Sequence, residues 1–301
     1  MNPANELYDF SGKVILITGA AGAIGSEAAR QFAMHGANVA LTDINEEKVK
    51  AVAAKIEKES DRECIGIRAD ATNDADLKSL VEQVVAKFGK ISGLINNVGW
   101  GKATPLWGSD TEAMVASYKL NTISAYNVTK YCMPYLRKEP NASVVFSGSM
   151  VGVTPSPEFI EYSTAKAGLI NMAHSMAVAS GPEVRFNVVV IGSVDNGDAT
   201  LEAGYDPLLV GAVLQVNVDI LGHAVLTDVI ALYVALVEQY LGYGLLHRGS
   251  GDENVLMLGG KSIADTGQHI GDGIGYQHSI FPPFDMLTSW PYARRVSRPC
   301  R

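Results

Sequence analysis

The stretch "EYSTAK" sets Tyr162 and Lys166 four residues apart, so in a helix they share one face, one turn from each other. A phenol is a poor acid or base at neutral pH. A neighbouring ammonium stabilises its phenolate and lowers its pKa, so that it can exchange a proton with an alcohol or a ketone. Tyr and Lys one turn apart are also a common surface pair. Ser149, 13 residues upstream, shifts the reading towards chemistry. It ends the apolar run "ASVVFSGS", and in open parallel sheets ligands bind at such C-terminal strand ends. A hydroxyl there can polarise the carbonyl oxygen that Tyr162 protonates.

A second set of residues is suited to holding a dinucleotide. "VILITGAAGAIGSEAARQF" (Val14 to Phe32) reads as a buried strand, a glycine loop and a helix. That arrangement turns backbone N–H groups and a helix N-terminus towards a pyrophosphate. Gly19 permits the tight turn, Gly22 allows close approach, and Gly25 lets the helix pack on the strand, with Ala23 and Ile24 in the same loop. Asp43 ends the next strand, "NVALTD", 18 residues past Gly25. A carboxylate there can accept both ribose hydroxyls and repel a 2′-phosphate, which favours NAD over NADP. The competing role for Asp43 is a helix cap, for which Asn45 is the rival. Asp70, followed by Ala71 after "CIGIRAD", is equally readable as an adenine-side contact or a plain loop carboxylate.

The elements that must position these residues alternate along the chain. Continuous apolar runs begin at Val14, at "NVALTD", "CIGIRAD" and "SGLINNVG", and again at "ASVVFSGS" and "EVRFNVVVIG". Helical patterns lie between them: Ile24–Met34, Glu46–Lys58, Asn73–Phe88, one long helix within Glu112–Pro134, and Glu161–Ser180. This is the pattern of an α/β, doubly wound parallel sheet, Rossmann-like, with right-handed crossovers. Past Gly192 the rhythm weakens. A helix is expected at 224–241 and a seventh strand at Asn254–Gly260. The expectation is one domain over residues 1–260, with about seven strands, a substrate-covering segment at 193–223, and an irregular tail at 261–301.

Bulk properties narrow the partners. The chain of 301 residues is 47% hydrophobic and 19% charged, a globular composition. Its net charge of −8, with no long basic run, argues against nucleic-acid binding. Cys64, Cys132 and Cys300 are too few and too far apart for a disulfide framework or a metal knuckle, and the six histidines have no ligand spacing, so no metal is expected. The apolar helix at 224–241 contains Asp228 and Glu238, and reads as packed rather than membrane-spanning. With no basic and apolar leader in "MNPANELYDF", the expected location is the cytoplasm. The helices at 112–134 and 161–180 are apolar on more than one side, which points to a homodimer or homotetramer.

Taken together, "TGAAGAIG", Asp70, "NNVG" at Asn96–Gly99, Asn121 in "KLNTISAY", Ser149 and Tyr162-x-x-x-Lys166 resemble the short-chain dehydrogenase/reductase family over residues 13–192. The resemblance implies that Tyr162 is the general acid/base and that Ser149 orients the substrate. It further implies that Lys166 also holds the nicotinamide ribose, and that Asn121 retains a water linking the lysine to solvent. Asn97 and Gly99 would lie by the cofactor. Two departures stand out: Val98 replaces the usual Ala, and the sixth strand ends "VVVIGSVDNG", with Ile191 for the usual Pro and Asn196 near the usual Thr. Backbone groups of Gly192 and Val194 are expected to serve the nicotinamide in their place.

The expected activity is NAD-dependent interconversion of a secondary alcohol and a ketone. Tyr205, Leu208, Leu209, Phe281, Phe284 and Trp290 favour a hydrophobic or cyclic alcohol. The Gly-rich ending resembles that of the cis-dihydrodiol dehydrogenases. The segment "SMVGVTPSPEFIEYS" is expected to line the substrate pocket. One alternative is a nucleotide-sugar epimerase or dehydratase of the longer related branch, because Ala23 stands where the shorter branch has glycine. The Ser–Tyr interval opposes it. A second alternative, a non-catalytic NAD-binding sensor, has no need of a proton acceptor such as Tyr162.

Overall fold

A computed structural model describes residues 9–192, together with three short strands at Val213–Gln215, Gly244–Leu246 and Val255–Gly259. These residues belong to a compact unit spanning Met1–Lys261; a second unit, Ser262–Arg301, lies outside the described residues.

Six strands form the main sheet: β1 (Val14–Thr18), β2 (Asn38–Asp43), β3 (Cys64–Arg68), β4 (Gly93–Asn96), β5 (Ser143–Ser149) and β6 (Arg185–Ile191). All are parallel, in the order β3-β2-β1-β4-β5-β6. The order reverses between β1 and β4, which opens a crevice at their C-terminal ends. Strand residues alternate between two cores. Ile15 and Ile17 join one with Phe32, Val39 and Leu41, whereas Val14 and Leu16 join the other with Leu80, Leu94, Val128 and Phe146. Both faces are covered, which is why the strands read as unbroken apolar runs.

The helices are α1 (Ala23–Met34), α2 (Glu46–Ser60), α3 (Asp74–Phe88), α4 (Thr111–Tyr118), α5 (Ser124–Leu136) and α6 (Ile160–Ser180). Local chemistry sets several ends. Asn45 caps α2 by accepting from the Lys48 N–H, and Asn73 caps α3 by accepting from Ala75 and Asp76. Gly89 closes α3 in the left-handed conformation.

The structure corrects two of these expectations. The long helix of 112–134 is two helices joined by a π turn, Lys119–Ile123. The extra residue per turn rotates Asn121 inward, where it is wholly buried, and Thr122 ties the turn to α6 through the Ala165 carbonyl at 2.7 Å. The seventh strand does form, as β9 (Val255–Gly259), but it does not extend the parallel sheet. Its two edges are taken up by β7 (Val213–Gln215) and β8 (Gly244–Leu246) in a separate antiparallel sheet. The helix expected at 224–241 lies outside the described residues, as does segment 193–223 apart from β7.

Candidate active site

Ser149 is the last residue of β5, and Tyr162 and Lys166 lie in the first turns of α6. Lys166 is only 2% exposed, and its Nζ donates to the Ser147 carbonyl at 2.7 Å while lying 5.6 Å from the centre of the Tyr162 ring. Burial pushes the ammonium down to about 8.

The lowered phenol expected for Tyr162 is not what the structure gives. Burial raises the Tyr162 pKa, and the hydrogen bond with Ser149 pulls it back only in part. The Ser149 bond, rather than the lysine, supplies the opposing stabilisation.

Asn121 meets the lysine at Gly99. A Cβ on Gly99 would stand 2.7 Å from Lys166 Nζ and 2.8 Å from Asn121 Oδ1, so only a glycine lets all three meet. The Asn121 amide also clasps the loop after β4: it donates to the Trp100 carbonyl and accepts from the Trp100 N–H, both at 3.0 Å. Its place in the family pattern is thus matched by a structural role as well.

A cavity of about 450 Å³ opens at the sheet crevice. Gly19, Gly22, Ala23, Ile24, Asp43, Asp70, Ala71, Asn97 and Gly99 all line it. Gly25 supports it from behind: a Cβ there would collide with the Gly19 carbonyl oxygen and meet Ala20 Cα at 2.8 Å. Gly19 has φ +63°. Asp43 does not cap α2. Its carboxylate accepts from the Ala21 N–H at 3.0 Å and from the Asn45 N–H at 3.1 Å, bracing the glycine loop. Asp70 accepts from both the N–H and hydroxyl of Thr72 at 2.8 Å. Gly192 directly follows β6. Val194 and Asn196 lie outside the described residues.

This cavity fits a dinucleotide. It runs from the helix N-terminus at Gly22, past an acidic strand end at Asp43, to the bare backbone of Gly99 beside Lys166. The Gly99 cradle, which a single Cβ would fill, is the observation that ties it to Lys166.

A second cavity, of about 440 Å³, has Tyr162 in its wall. The expected wall, 149–163, contributes only Glu161 and Tyr162. The rest comes from the β4–α4 loop and α4–α5 region, including Trp100, Gly101, Thr104, Ala116 and Leu120. The two segments are pinned together by the Thr104 N–H bond to the Glu158 carbonyl at 2.7 Å.

Sequence reading missed several residues here. Gly101 packs on Tyr162, where a Cβ would meet the ring Cγ at 2.5 Å. The Thr18 hydroxyl accepts from the Asn97 and Val98 N–H groups at 3.1 and 3.3 Å and so fixes the "NNVG" turn. Ser147 lies two residues before Ser149 on the same face of β5, and that period was the available signal.

The fold and this site define a nicotinamide-dependent oxidoreductase acting on CH–OH groups. The family model for short chain dehydrogenases matches residues 13–203, and the chain belongs to that family. A 3-oxoacyl-acyl-carrier-protein reductase of Thermotoga maritima is 34% identical over 185 residues, covering 61% of this chain and 75% of the relative. An L-fucose dehydrogenase of Bos taurus is 29% identical over 191 residues, covering 62% and 67%. Among solved structures, NAD+-bound xylitol dehydrogenase superposes with a TM-score of 0.58 at 30% identity, covering 60% of this chain and 70% of that one. Among the described residues, no helix is long and apolar enough to cross a membrane.

Proposed function

We propose that this protein interconverts a secondary alcohol and a ketone with NAD, using Ser149, Tyr162, Lys166 and Asn121. The observation that carries this reading is the convergence of Ser149, Tyr162 and Lys166 where the two cavities adjoin. When bound, the nicotinamide supplies the hydride acceptor or donor. In oxidation, Tyr162 Oη takes the proton of the substrate hydroxyl; in reduction, it returns that proton to the carbonyl oxygen. Ser149 holds the same oxygen by hydrogen bonding. Lys166 places a positive charge beside the ring, and Asn121 with Gly99 keeps that charge in position.

Gly19, Gly22, Ala23, Ile24 and Gly25 would hold the pyrophosphate, Asp43 the adenosine ribose, Asp70 and Ala71 the adenine side, and Asn97, Gly99, Gly192 and Val194 the nicotinamide side. The Asp43 carboxylate supports NAD over NADP. The apolar wall formed by Trp100, Ala116 and Leu120 supports a hydrophobic or cyclic substrate, a dihydrodiol being one such compound. Exposed Val115, Tyr118, Ile123, Tyr126 and Val178 on α4, the π turn, α5 and α6 support a homodimer or homotetramer. The free, buried thiols of Cys64 and Cys132 support a reducing compartment such as the cytoplasm.

The test is reduced-nicotinamide absorbance with NAD and a panel of cyclic secondary alcohols. Turnover is expected, and Tyr162→Phe should abolish it while NAD still binds. NAD binding without turnover of any alcohol or ketone would establish the sensor instead.

A further inference from the structure

The helix that carries Tyr162 begins without a side-chain cap. Phe159 stands at the cap position of α6 and makes no side-chain bond to the first turn. Glu161 is the acidic residue of that turn, and it is only 8% exposed. A carboxylate is stabilised there by the free N–H groups of the helix end. The Ser109 hydroxyl donates to Glu161 Oε1. That bond above all, with support from Glu161's own N–H and the Thr104 hydroxyl, holds the carboxyl below its ordinary range.

Ser109 and Thr104 both lie on the loop between β4 and α4. Ser109 is fixed in turn by its neighbour Asp110, which caps α4 by accepting from the Ala113 N–H at 2.8 Å. Glu161 therefore ties the start of α6 to the start of α4. A second tie runs beside it, from the Thr104 N–H to the Glu158 carbonyl at 2.7 Å. Nearer β4, the Asn121 amide clasps Trp100. Gly101 lies between the clasp and the ties, with its backbone so close to the Tyr162 ring that a Cβ would stand 2.5 Å from Cγ. The ring also meets Phe159, with centroids 6.4 Å apart and planes at 64°. Whatever holds this loop thus limits where the Tyr162 ring can lie.

We infer that Glu161 is a positioning residue for Tyr162: through its bond with Ser109 it clamps the β4–α4 loop to the first turn of α6, and so holds the phenol ring between the Gly101 backbone and its hydrogen bond with Ser149. The inference rests on the proposed alcohol oxidation and adds a residue to it. Glu161 acts on Tyr162 through the loop, and exchanges no proton with the substrate.

The clamp can be opened from either side. With NAD and the alcohol that the wild-type protein turns over best, Glu161→Ala should lower kcat about thirtyfold and Ser109→Ala about tenfold. KM for NAD should stay within about twofold in both, because neither residue lines the dinucleotide cavity. The double variant should fall no more than about threefold below Glu161→Ala, whereas independent effects would multiply to about three hundredfold. Glu161→Gln keeps an acceptor for Ser109 and should recover kcat to within about fivefold of wild type. Should Glu161→Ala fail to fold, Ser109→Ala and Glu161→Gln decide on the same limits. The inference is overturned by a kcat within about threefold of wild type in Ser109→Ala, whatever happens to stability in urea. Multiplied effects in the double variant, or a Gln variant as slow as the Ala variant, overturn it too. If the wild-type protein turns over no alcohol or ketone, the proposed function falls separately. Hydrogen–deuterium exchange of Ser109→Ala then decides the clamp. Faster exchange than wild type in both 100–105 and 160–166 upholds it, and faster exchange in one of them or neither refutes it.

Discussion

The Lys166 ammonium donates to the Ser147 carbonyl oxygen at 2.7 Å, and through Ser147 this lysine is joined to the glycine loop after β1. The Ser147 hydroxyl donates to Asn97 Oδ1 at 3.1 Å, and Asn97 Nδ2 donates to the Gly19 carbonyl at 3.2 Å. One chain of hydrogen bonds thus runs from Lys166 to the turn at Gly19. Each link satisfies a buried or half-buried polar group, so the register of one cavity fixes that of the other.

Lys166 is charged at a cost. Its pKa in the fold is about 8 against an ordinary 10.5, so the unfolded chain binds more protons between those values. Stability from this group therefore rises with pH across that window, and the penalty is fully present below about pH 8. Lys166→Met should abolish turnover. Relative to wild type, its unfolding free energy should be higher at pH 7 than at pH 10.5 by about 3 kcal/mol. The lost bond to Ser147 offsets part of that difference at every pH. Urea unfolding of both proteins across this range provides the measurement. A difference that does not change with pH would show that the lysine is not buried as a cation.

Gly99 is where the lysine, Asn121 and the cofactor cavity meet. Gly99→Ala inserts a methyl group 2.7 Å from Lys166 Nζ and 2.8 Å from Asn121 Oδ1. The lysine end can move, but moving it breaks the bond to Ser147. We expect kcat/KM to fall about a hundredfold, with the fold retained, because misplacement of a catalytic group by a fraction of an ångström has effects of that order. Steady-state kinetics with circular dichroism would test it; an activity within threefold of wild type would contradict the geometry.

Much of this site could be read from the chain because its signals are local. Tyr162 and Lys166 share one helix turn, Ser149 ends one strand, and the three glycines lie within seven residues. What escaped depends on the third dimension. Gly101 looks like any loop glycine until its backbone is seen against the Tyr162 ring. Glu161 stands inside the very motif that revealed Tyr162, yet its bond with the Ser109 hydroxyl joins residues 52 apart in the chain. The π turn inserts one residue into a helical pattern that stays apolar on both sides, so the periodicity carries no mark of it. The run at 254–260 specifies a strand but not its neighbours, and a five-residue apolar segment suits either a parallel or an antiparallel sheet.

The glycine loop separates two roles that the spacing alone merges. At Gly25 a Cβ would run into the Gly19 carbonyl and the Ala20 backbone, neither of which can yield without unseating α1. At Gly22 a Cβ would meet only the Gly19 oxygen, at an ordinary 3.4 Å. Gly25→Ala should therefore cost about 2 kcal/mol or more of stability. Gly22→Ala should stay within about 1 kcal/mol of wild type while weakening NAD binding, because its methyl group enters the cavity. Thermal unfolding paired with NAD titration distinguishes the two. Equal destabilisation by both would mean that the loop is not held as described.

Asp43 has two roles that one substitution can pull apart. Its carboxylate braces the loop through the Ala21 and Asn45 N–H groups, and it also presents a negative charge in the cavity where an adenosine ribose would lie. Asp43→Asn keeps the side-chain shape and one acceptor oxygen but removes the charge. If the carboxylate excludes a 2′-phosphate, this variant should bind NADP about tenfold more tightly than wild type does, while NAD binding weakens by a similar factor. Stability should fall by only about 1 kcal/mol, since one brace of the loop persists. Fluorescence titration with both dinucleotides reads the preference, and urea unfolding reads the brace. A variant with lower stability but an unchanged NAD-to-NADP ratio would make Asp43 a structural support of the loop and leave cofactor choice to other residues.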